Sequence, residues 1–343
     1  MRTSMTTTTR EIHLAQRPTG LPGPETYRFV ERELRDLREG DVLVENIVLT
    51  VDPYMRPRMN DVKSYVPPFK LDHALDGGAV GVVVESRSES LPVGTVVRHG
   101  LGWREHAVLA DQYATKLDLN GLPTSYFLGV LGMPGHTAYA GLFDVAAFQP
   151  GDSVFVSAAA GAVGSLVGQF ARLAGAERVV GSAGSAEKVA LLTDELKFDA
   201  AINYRDGDVM GQVGAAFPDG FEVYFDNVGG DHLEAALEHI NERGRMALCG
   251  SISGYNDPKA SGPRNMFKAV GKRLTLRGFI VSDHESLRPE FEQKVGQWLR
   301  DGDLTYNETT WNGLDAMPEA FAGLLTGANT GKAIVRLRED PTA

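Results

Sequence analysis

The chain has 343 residues, 43% of them hydrophobic and 23% charged, with a formal net charge of −11. That length and apolar content suit two domains with their own cores, and the acid surplus excludes the broad basic face that nucleic acid or an anionic membrane requires. A single cysteine, Cys249, excludes an internal disulfide, and no stretch is apolar and long enough to span a bilayer.

The first ten residues are Thr-rich and hold no apolar signal core, with Met5 a candidate start and the cytoplasm the default location. Three segments then read as strands: Asp41 to Val51, Gly78 to Glu85 and Trp103 to Leu109. Short β segments punctuated by Gly and Pro predict a barrel-like β domain. The texture changes at Met133-Pro134-Gly135, after which strands and helices alternate. Strands are expected at Ser153 to Ser157, Arg178 to Ser182, Ala200 to Tyr204, Glu222 to Asp226, Arg245 to Cys249 and Leu274 to Val281. Helices fall between them, at Gly161 to Ala174, Ser185 to Leu196, Asp208 to Phe217 and Asp231 to Ile240. The fold class is therefore α/β, with a doubly wound, parallel, six-stranded sheet. Two more helices, Leu287 to Arg300 and Leu314 to Thr326, precede a final strand, Gly331 to Leu337.

The first strand of the alternating region runs into Ala158-Ala159-Ala160-Gly161-Ala162-Val163-Gly164-Ser165. Gly161 and Gly164 fit the last two glycines of a GxGxxG loop, and Ala159 stands for the first. Such a loop lets the backbone approach a pyrophosphate at a helix N-terminus. The second strand ends in Gly181-Ser182-Ala183-Gly184-Ser185, with no acid to hold a ribose diol, and Lys188 follows. This favours NADP(H) over NAD.

These motifs, with others, resemble the prostaglandin reductase, leukotriene hydroxydehydrogenase and alkenal double-bond reductase branch of the medium-chain dehydrogenase/reductase family, which includes curcumin-reductase-like enzymes. The resemblance rests on Val51-Asp52-Pro53-Tyr54-Met55-Arg56, Gly132-Met133-Pro134-Gly135-His136-Thr137-Ala138-Tyr139, Ala158 to Gly168, Gly184 to Lys188, and Asn203-Tyr204. It extends through Asp226-Asn227-Val228-Gly229-Gly230, Cys249 to Asn256, and Asn329-Thr330-Gly331-Lys332, covering nearly the whole chain in order. It implies a GroES-like β domain over residues 1–134, completed by 304–343, and a Rossmann domain over 135–303. It implies cofactor contacts from Met133, Thr137, Ala159, Gly161, Ala162, Val163, Gly164, Gly184, Ser185, Lys188, Tyr204, Asn227, Cys249, Ser251, Tyr255, Phe279, Ile280 and Asn329. His136 and Gly254 depart from the family's usual residues, and both are expected to line the substrate site. The loops 60–75 and 257–268, which would shape that site, carry no readable code.

Zinc-dependent relatives hold a structural metal on four closely spaced cysteines, which one cysteine cannot supply, and a catalytic metal on a Cys, a His-Glu pair and a further Cys or acid. Asp52-Pro53-Tyr54 and Asp76-Gly77-Gly78 stand where catalytic ligands would fall, so no metal is expected. His232 and His239 are expected at the surface or as caps. The resemblance implies hydride transfer from NADPH to the β-carbon of an enone or enal, followed by protonation of the enolate. Tyr54 and Tyr255 are the candidate hydrogen-bond donors or pocket walls, and Arg56 either binds a substrate carboxylate or phosphate or forms a structural ion pair. It also implies a homodimer joined through the edge strand Arg273 to Val281. A quinone reductase of the same superfamily and a non-catalytic NADPH-binding protein are the rival readings.

Overall fold

The computed structural model describes residues 8–257 and 262–342, so the candidate start at Met5 and residues 258–261 of the second loop lie outside it. The chain folds into two compact units, each assembled from separate stretches of sequence. The first holds the chain up to Leu128, Thr309–Ala328 and the residues from Ala333 on; the second holds Gly129–Glu308 and Asn329–Lys332. The expected boundaries, 134/135 and 303/304, lie a few residues away.

In chain order the strands are β1 (Thr8–Leu14), β2 (Tyr27–Glu33), β3 (Asp41–Thr50), β4 (Ala79–Ser86), β5 (Val96–His99), β6 (His106–Ala110), β7 (Thr115–Lys116), β8 (Ser153–Val156), β9 (Arg178–Ala183), β10 (Ala200–Asn203), β11 (Phe221–Asp226), β12 (Ile240–Leu248), β13 (Thr275–Gly278), β14 (Glu308–Asn312) and β15 (Lys332–Arg336). The helices are α1 (Met55–Arg58), α2 (Met133–Ala140), α3 (Gly164–Leu173), α4 (Ala186–Ala190), α5 (Val209–Ala216), α6 (Gly230–His239), α7 (Lys268–Gly271), α8 (Arg288–Asp301) and α9 (Met317–Thr326). Among the described residues no helix is long and apolar enough to cross a membrane.

In the first unit β1 and β2 form an antiparallel pair, and a seven-stranded sheet has the order β14-β15-β3-β4-β5-β7, with β6 also on β3. Its core gathers Leu14, Met55, Trp103, Met317 and Phe321, with Tyr54 packed against it. The expected strand at Trp103 begins only at His106, because Trp103 takes a left-handed φ of 57° and turns its ring into the core. There it stacks on Tyr27 at 5.8 Å and meets the edge of Phe321 at 5.9 Å. His99 is buried below this loop. Its Nδ1 accepts the Leu101 N–H at 3.1 Å, so Nε2–H donates to Asn46 at 2.9 Å. Burial holds its pKa down to about 3.

The second unit is built on a six-stranded, wholly parallel sheet of order β10-β9-β8-β11-β12-β13. The order reverses direction between β8 and β11, which makes the crevice at their carboxyl ends the place for a ligand. Helix α4 ends early and continues as a π-helical turn, Leu191–Glu195, where one helix to Leu196 was expected. The last strand stops at Gly278 rather than Val281, because Val281–Leu287 winds into 3₁₀ turns. Among the described residues strand β13 pairs on one side only, ends the sheet, and is largely exposed.

Candidate active site

Most of the expected cofactor residues of the second unit sit at the carboxyl edge of the parallel sheet. The loop after β8 turns at Ala158, whose φ is +49°, and α3 starts at Gly164. A Cβ on Gly164 would lie 2.4 Å from the Ala158 oxygen and 2.8 Å from the Ala159 α-carbon, so only glycine lets the helix close on the loop. A Cβ on Gly161 would meet only the Ala158 oxygen, at 3.2 Å, leaving its other side open. The Ala159 N–H donates to the Ser182 carbonyl at 2.8 Å, and the Gly331 N–H donates to the Ala160 carbonyl at 2.8 Å. The second bond brings Asn329, 7% exposed, to the glycine loop; its amide donates to the Gly331 carbonyl at 2.8 Å.

A buried carboxylate, named from sequence only as a strand end and as part of the Asp226-Asn227-Val228-Gly229-Gly230 segment, organises the far side of the crevice. One oxygen of Asp226 accepts from the Tyr224 hydroxyl at 2.8 Å and from the N–H groups of Val228 and Gly229 at 3.0 and 2.8 Å. Burial raises its pKa, while these hydrogen bonds pull the other way. The Asp226 carbonyl accepts the N–H groups of Cys249 and Gly250, and Asn227 donates its amide to the Ser157 carbonyl at 2.8 Å. Asn227 thus ties β11 to β8. Burial, with the charge of Asp226, pushes the Cys249 thiol up to about 12, so it stays protonated. Tyr255 follows the 3₁₀ turn Ile252–Gly254, and its hydroxyl lies 3.5 Å from the Ser251 N–H. Phe279 stands edge-on to Phe225 at 6.3 Å, next to Ile280 at the end of the sheet.

At the tip of β9, Ser185 caps α4 and accepts the Lys188 N–H at 3.3 Å. The Tyr204 hydroxyl lies 2.6 Å from where a Cβ on Gly184 would be. The Lys188 pKa is lowered by burial first and by the charge of Arg205 second, which places two cations at this corner. Arg205 also faces the Tyr204 ring, 6.0 Å from its centroid. Sequence reasoning missed Arg205; a cation directly after the Asn203-Tyr204 pair was the available signal.

On α2, Met133 is exposed and Thr137 is buried. His136, expected to line the substrate site, is fully buried instead. Its ring is 3.1 Å from the His284 carbonyl and 3.2 Å from the Arg288 guanidinium. His232, expected at the surface or as a helix cap, is neither: it lies within the first turn of α6, 4% exposed and bonded to Ser182.

In the first unit, Tyr54 precedes α1 and has its phenol pKa raised by burial, then by the charge of Asp52. Arg56 is 3% exposed and donates to the carbonyls of Gly20 and Pro18 at 3.0 and 3.3 Å and to Asn60 at 2.9 Å. It clamps residues 18–20 through their carbonyls, a structural contact other than the ion pair expected from sequence. The positions where metal ligands would fall are engaged otherwise. Asp52 accepts the Thr50 hydroxyl at 2.6 Å, and Asp76 pairs with Arg104 at 3.2 Å. Among the described residues no three His, Cys, Asp or Glu side chains converge, so this donor set does not fit zinc.

Residues 10–117 match the family model described as the N-terminal domain of oxidoreductase, and residues 162–300 match the one described as zinc-binding dehydrogenase. The chain belongs to the medium-chain dehydrogenase/reductase family. Within it, the chain falls in the zinc-independent branch of the alkenal, curcumin and prostaglandin reductases. It is 44% identical over 98% of its length, and the whole of the other protein, to YfmJ of Bacillus subtilis, provisionally named as an NADP-dependent oxidoreductase. It is 42% identical to the NADP-dependent 2-alkenal reductase of Nicotiana tabacum, over 88% of each chain. The crystal structure of CurA in complex with NADPH from Vibrio vulnificus superposes with a TM-score of 0.92 at 38% identity, covering 96% of this chain and 99% of that one. The family's two-unit, β then α/β plan is the one described above.

Proposed function

We propose that the chain reduces the carbon–carbon double bond of an α,β-unsaturated ketone or aldehyde with NADPH. The chain is an NADP-dependent oxidoreductase. One observation carries the reading: a phosphate corner built for NADP stands in a chain whose metal positions are taken by the Asp52–Thr50 and Asp76–Arg104 pairs. The names of the alkenal and curcumin reductase relatives support the reaction class.

The residues divide the work as follows. Gly161 leaves the loop open to a pyrophosphate, and the N-terminus of α3 favours its charge. Ser185, Lys188, Tyr204 and Arg205 supply donors and positive charge for a 2′-phosphate. NADPH, when bound, supplies the hydride. Tyr255, at the carboxyl edge of the parallel sheet, donates a hydrogen bond to the substrate oxygen as negative charge develops there. With its pKa raised, Tyr54 stays a neutral phenol, suited to donating a hydrogen bond rather than releasing its proton. The chain acts as a homodimer joined at β13, where Met266, Phe267 and Val270 expose an apolar surface beside the open strand edge.

The deciding experiment follows NADPH oxidation with a straight-chain enone, an enal, a diarylheptanoid and a simple quinone, with and without chelator and with NADH in place of NADPH. Chelator-insensitive turnover of enone or enal is expected. Turnover of the quinone alone would replace this reading with quinone reduction, and tight NADPH binding without turnover would replace it with a sensor.

A further inference from the structure

Ser182 and His232 are both buried, the serine fully and the histidine to 4% exposure, and their Oγ and Nε2 atoms are 2.6 Å apart. The bond joins the tip of β9 to the first turn of α6, two elements that flank the crevice. The same serine accepts the Ala159 N–H on its carbonyl, so it is held by the glycine loop through its backbone and by His232 through its side chain. The imidazole also stands edge-on to the Tyr204 ring, 5.3 Å between centroids at 72°. Tyr204 in turn lies over Gly184, next to the Ser185 cap. An apolar side chain on α6 would fill this space but leave a buried hydroxyl without its partner. A histidine satisfies the hydroxyl and supports the aromatic ring with one side chain.

We propose that His232 is a positioning residue for cofactor choice: it fixes the tip of β9 through Ser182 and holds Tyr204 over Gly184, so that the 2′-phosphate corner is preformed. This rests on the NADPH reading above. The imidazole is itself buried behind the corner, so its effect passes through Ser182 and Tyr204. Burial keeps the imidazole neutral, with a pKa of about 4, so the arrangement persists across the neutral range.

The test uses the full-length protein with His232→Leu, His232→Gln and Ser182→Ala. It measures kcat and KM with NADPH and NADH, the Kd of adenosine 2′,5′-bisphosphate by calorimetry, and the thermal midpoint. His232→Leu is expected to raise the NADPH KM and the bisphosphate Kd about tenfold, with kcat and the NADH KM within about twofold. His232→Gln, which can still reach the Ser182 hydroxyl, recovers part of that loss. If His232→Leu does not fold, Ser182→Ala removes the same hydrogen bond by losing one oxygen and decides the matter. Parallel losses with both cofactors would overturn the proposal, as would an unchanged bisphosphate Kd in the folded variants. Equal KM values for NADPH and NADH in the unmodified enzyme would instead refute the NADPH reading itself.

Discussion

Adding one methyl group at Gly164 and one at Gly161 separates the two duties of the glycine loop. At Gly164 the new Cβ would sit 2.4 Å from the Ala158 oxygen and 2.8 Å from the Ala159 α-carbon, both backbone atoms of the loop itself. The closer approach is about 1 Å inside ordinary van der Waals separation, and neither neighbour can rotate away. The helix and the loop must part by a large fraction of that distance. Overpacking of this kind costs about 1–3 kcal/mol, or roughly 2–12 °C in the midpoint for a unit of this size. A loop displaced by up to ~1 Å also loses its fit to the pyrophosphate, for which a ~100-fold loss is reasonable. At Gly161 the new Cβ meets only the Ala158 oxygen, at 3.2 Å, and otherwise points into open space. Gly161→Ala should therefore leave the midpoint within ~2 °C yet weaken NADPH binding at least tenfold, by occupying the approach to the backbone. Differential scanning fluorimetry and fluorescence titration with NADPH measure both quantities. A Gly164→Ala variant with unaltered midpoint and affinity would refute the packing argument, and so would a Gly161→Ala variant less stable than Gly164→Ala.

Removing charge from the phosphate corner should act on one cofactor only: Lys188→Ser with Arg205→Ser raises the NADPH KM more than tenfold with the NADH KM steady, and equal effects on both would remove these residues from the site. Tyr54→Phe and Tyr255→Phe should each lower kcat for an enone by roughly 10- to 100-fold with little change in cofactor KM; an unchanged kcat assigns that tyrosine to the pocket wall. Stability should drop on acidification because His99 and His232 have folded pKa values of about 3 and about 4. Their unfolded forms take up protons first, so their contribution is complete above about pH 6.5 and is lost as pH falls toward 4, at about 1.4 kcal/mol per pH unit for each histidine. Urea melts at pH 7, 6 and 5 check this, and equal unfolding free energies at all three would contradict it. Phe267→Glu with Val270→Glu should yield a folded monomer by analytical ultracentrifugation, and a dimer that survives both changes places the interface elsewhere.

The parallel sheet was legible because apolar segments such as Val154 to Val156 and Val223 to Phe225 are buried on both faces and alternate with helices. The glycine loop was legible from spacing. The β1–β2 pair was not, because β2 reads Tyr27-Arg28-Phe29-Val30-Glu31-Arg32-Glu33 and exposes most of its charged side chains, so no buried stripe marks it. The place of Trp103 could not be read either, since its left-handed backbone is a property of the packed loop and not of tryptophan. Arg205 had a local signal, its place directly after Asn203-Tyr204, but the role of Arg205 and the place of His232 depend on distant partners. Each matters through a residue distant in sequence, Arg205 through Lys188 and His232 through Ser182, and only the assembled sheet brings those partners together.

The Gly331 N–H reaches back to the Ala160 carbonyl, and Asp340 accepts the Thr124 hydroxyl and N–H at 2.6 and 2.8 Å. Each unit is therefore closed by residues far downstream of the ones they hold. During synthesis neither can finish folding as its own stretch of chain leaves the ribosome. The glycine loop has to wait, still lacking its final backbone partner, until the segment leading into β15 arrives. Such late, long-range closure slows folding. It also makes the nascent chain a client for chaperones in a way that two independent domains in tandem would not be.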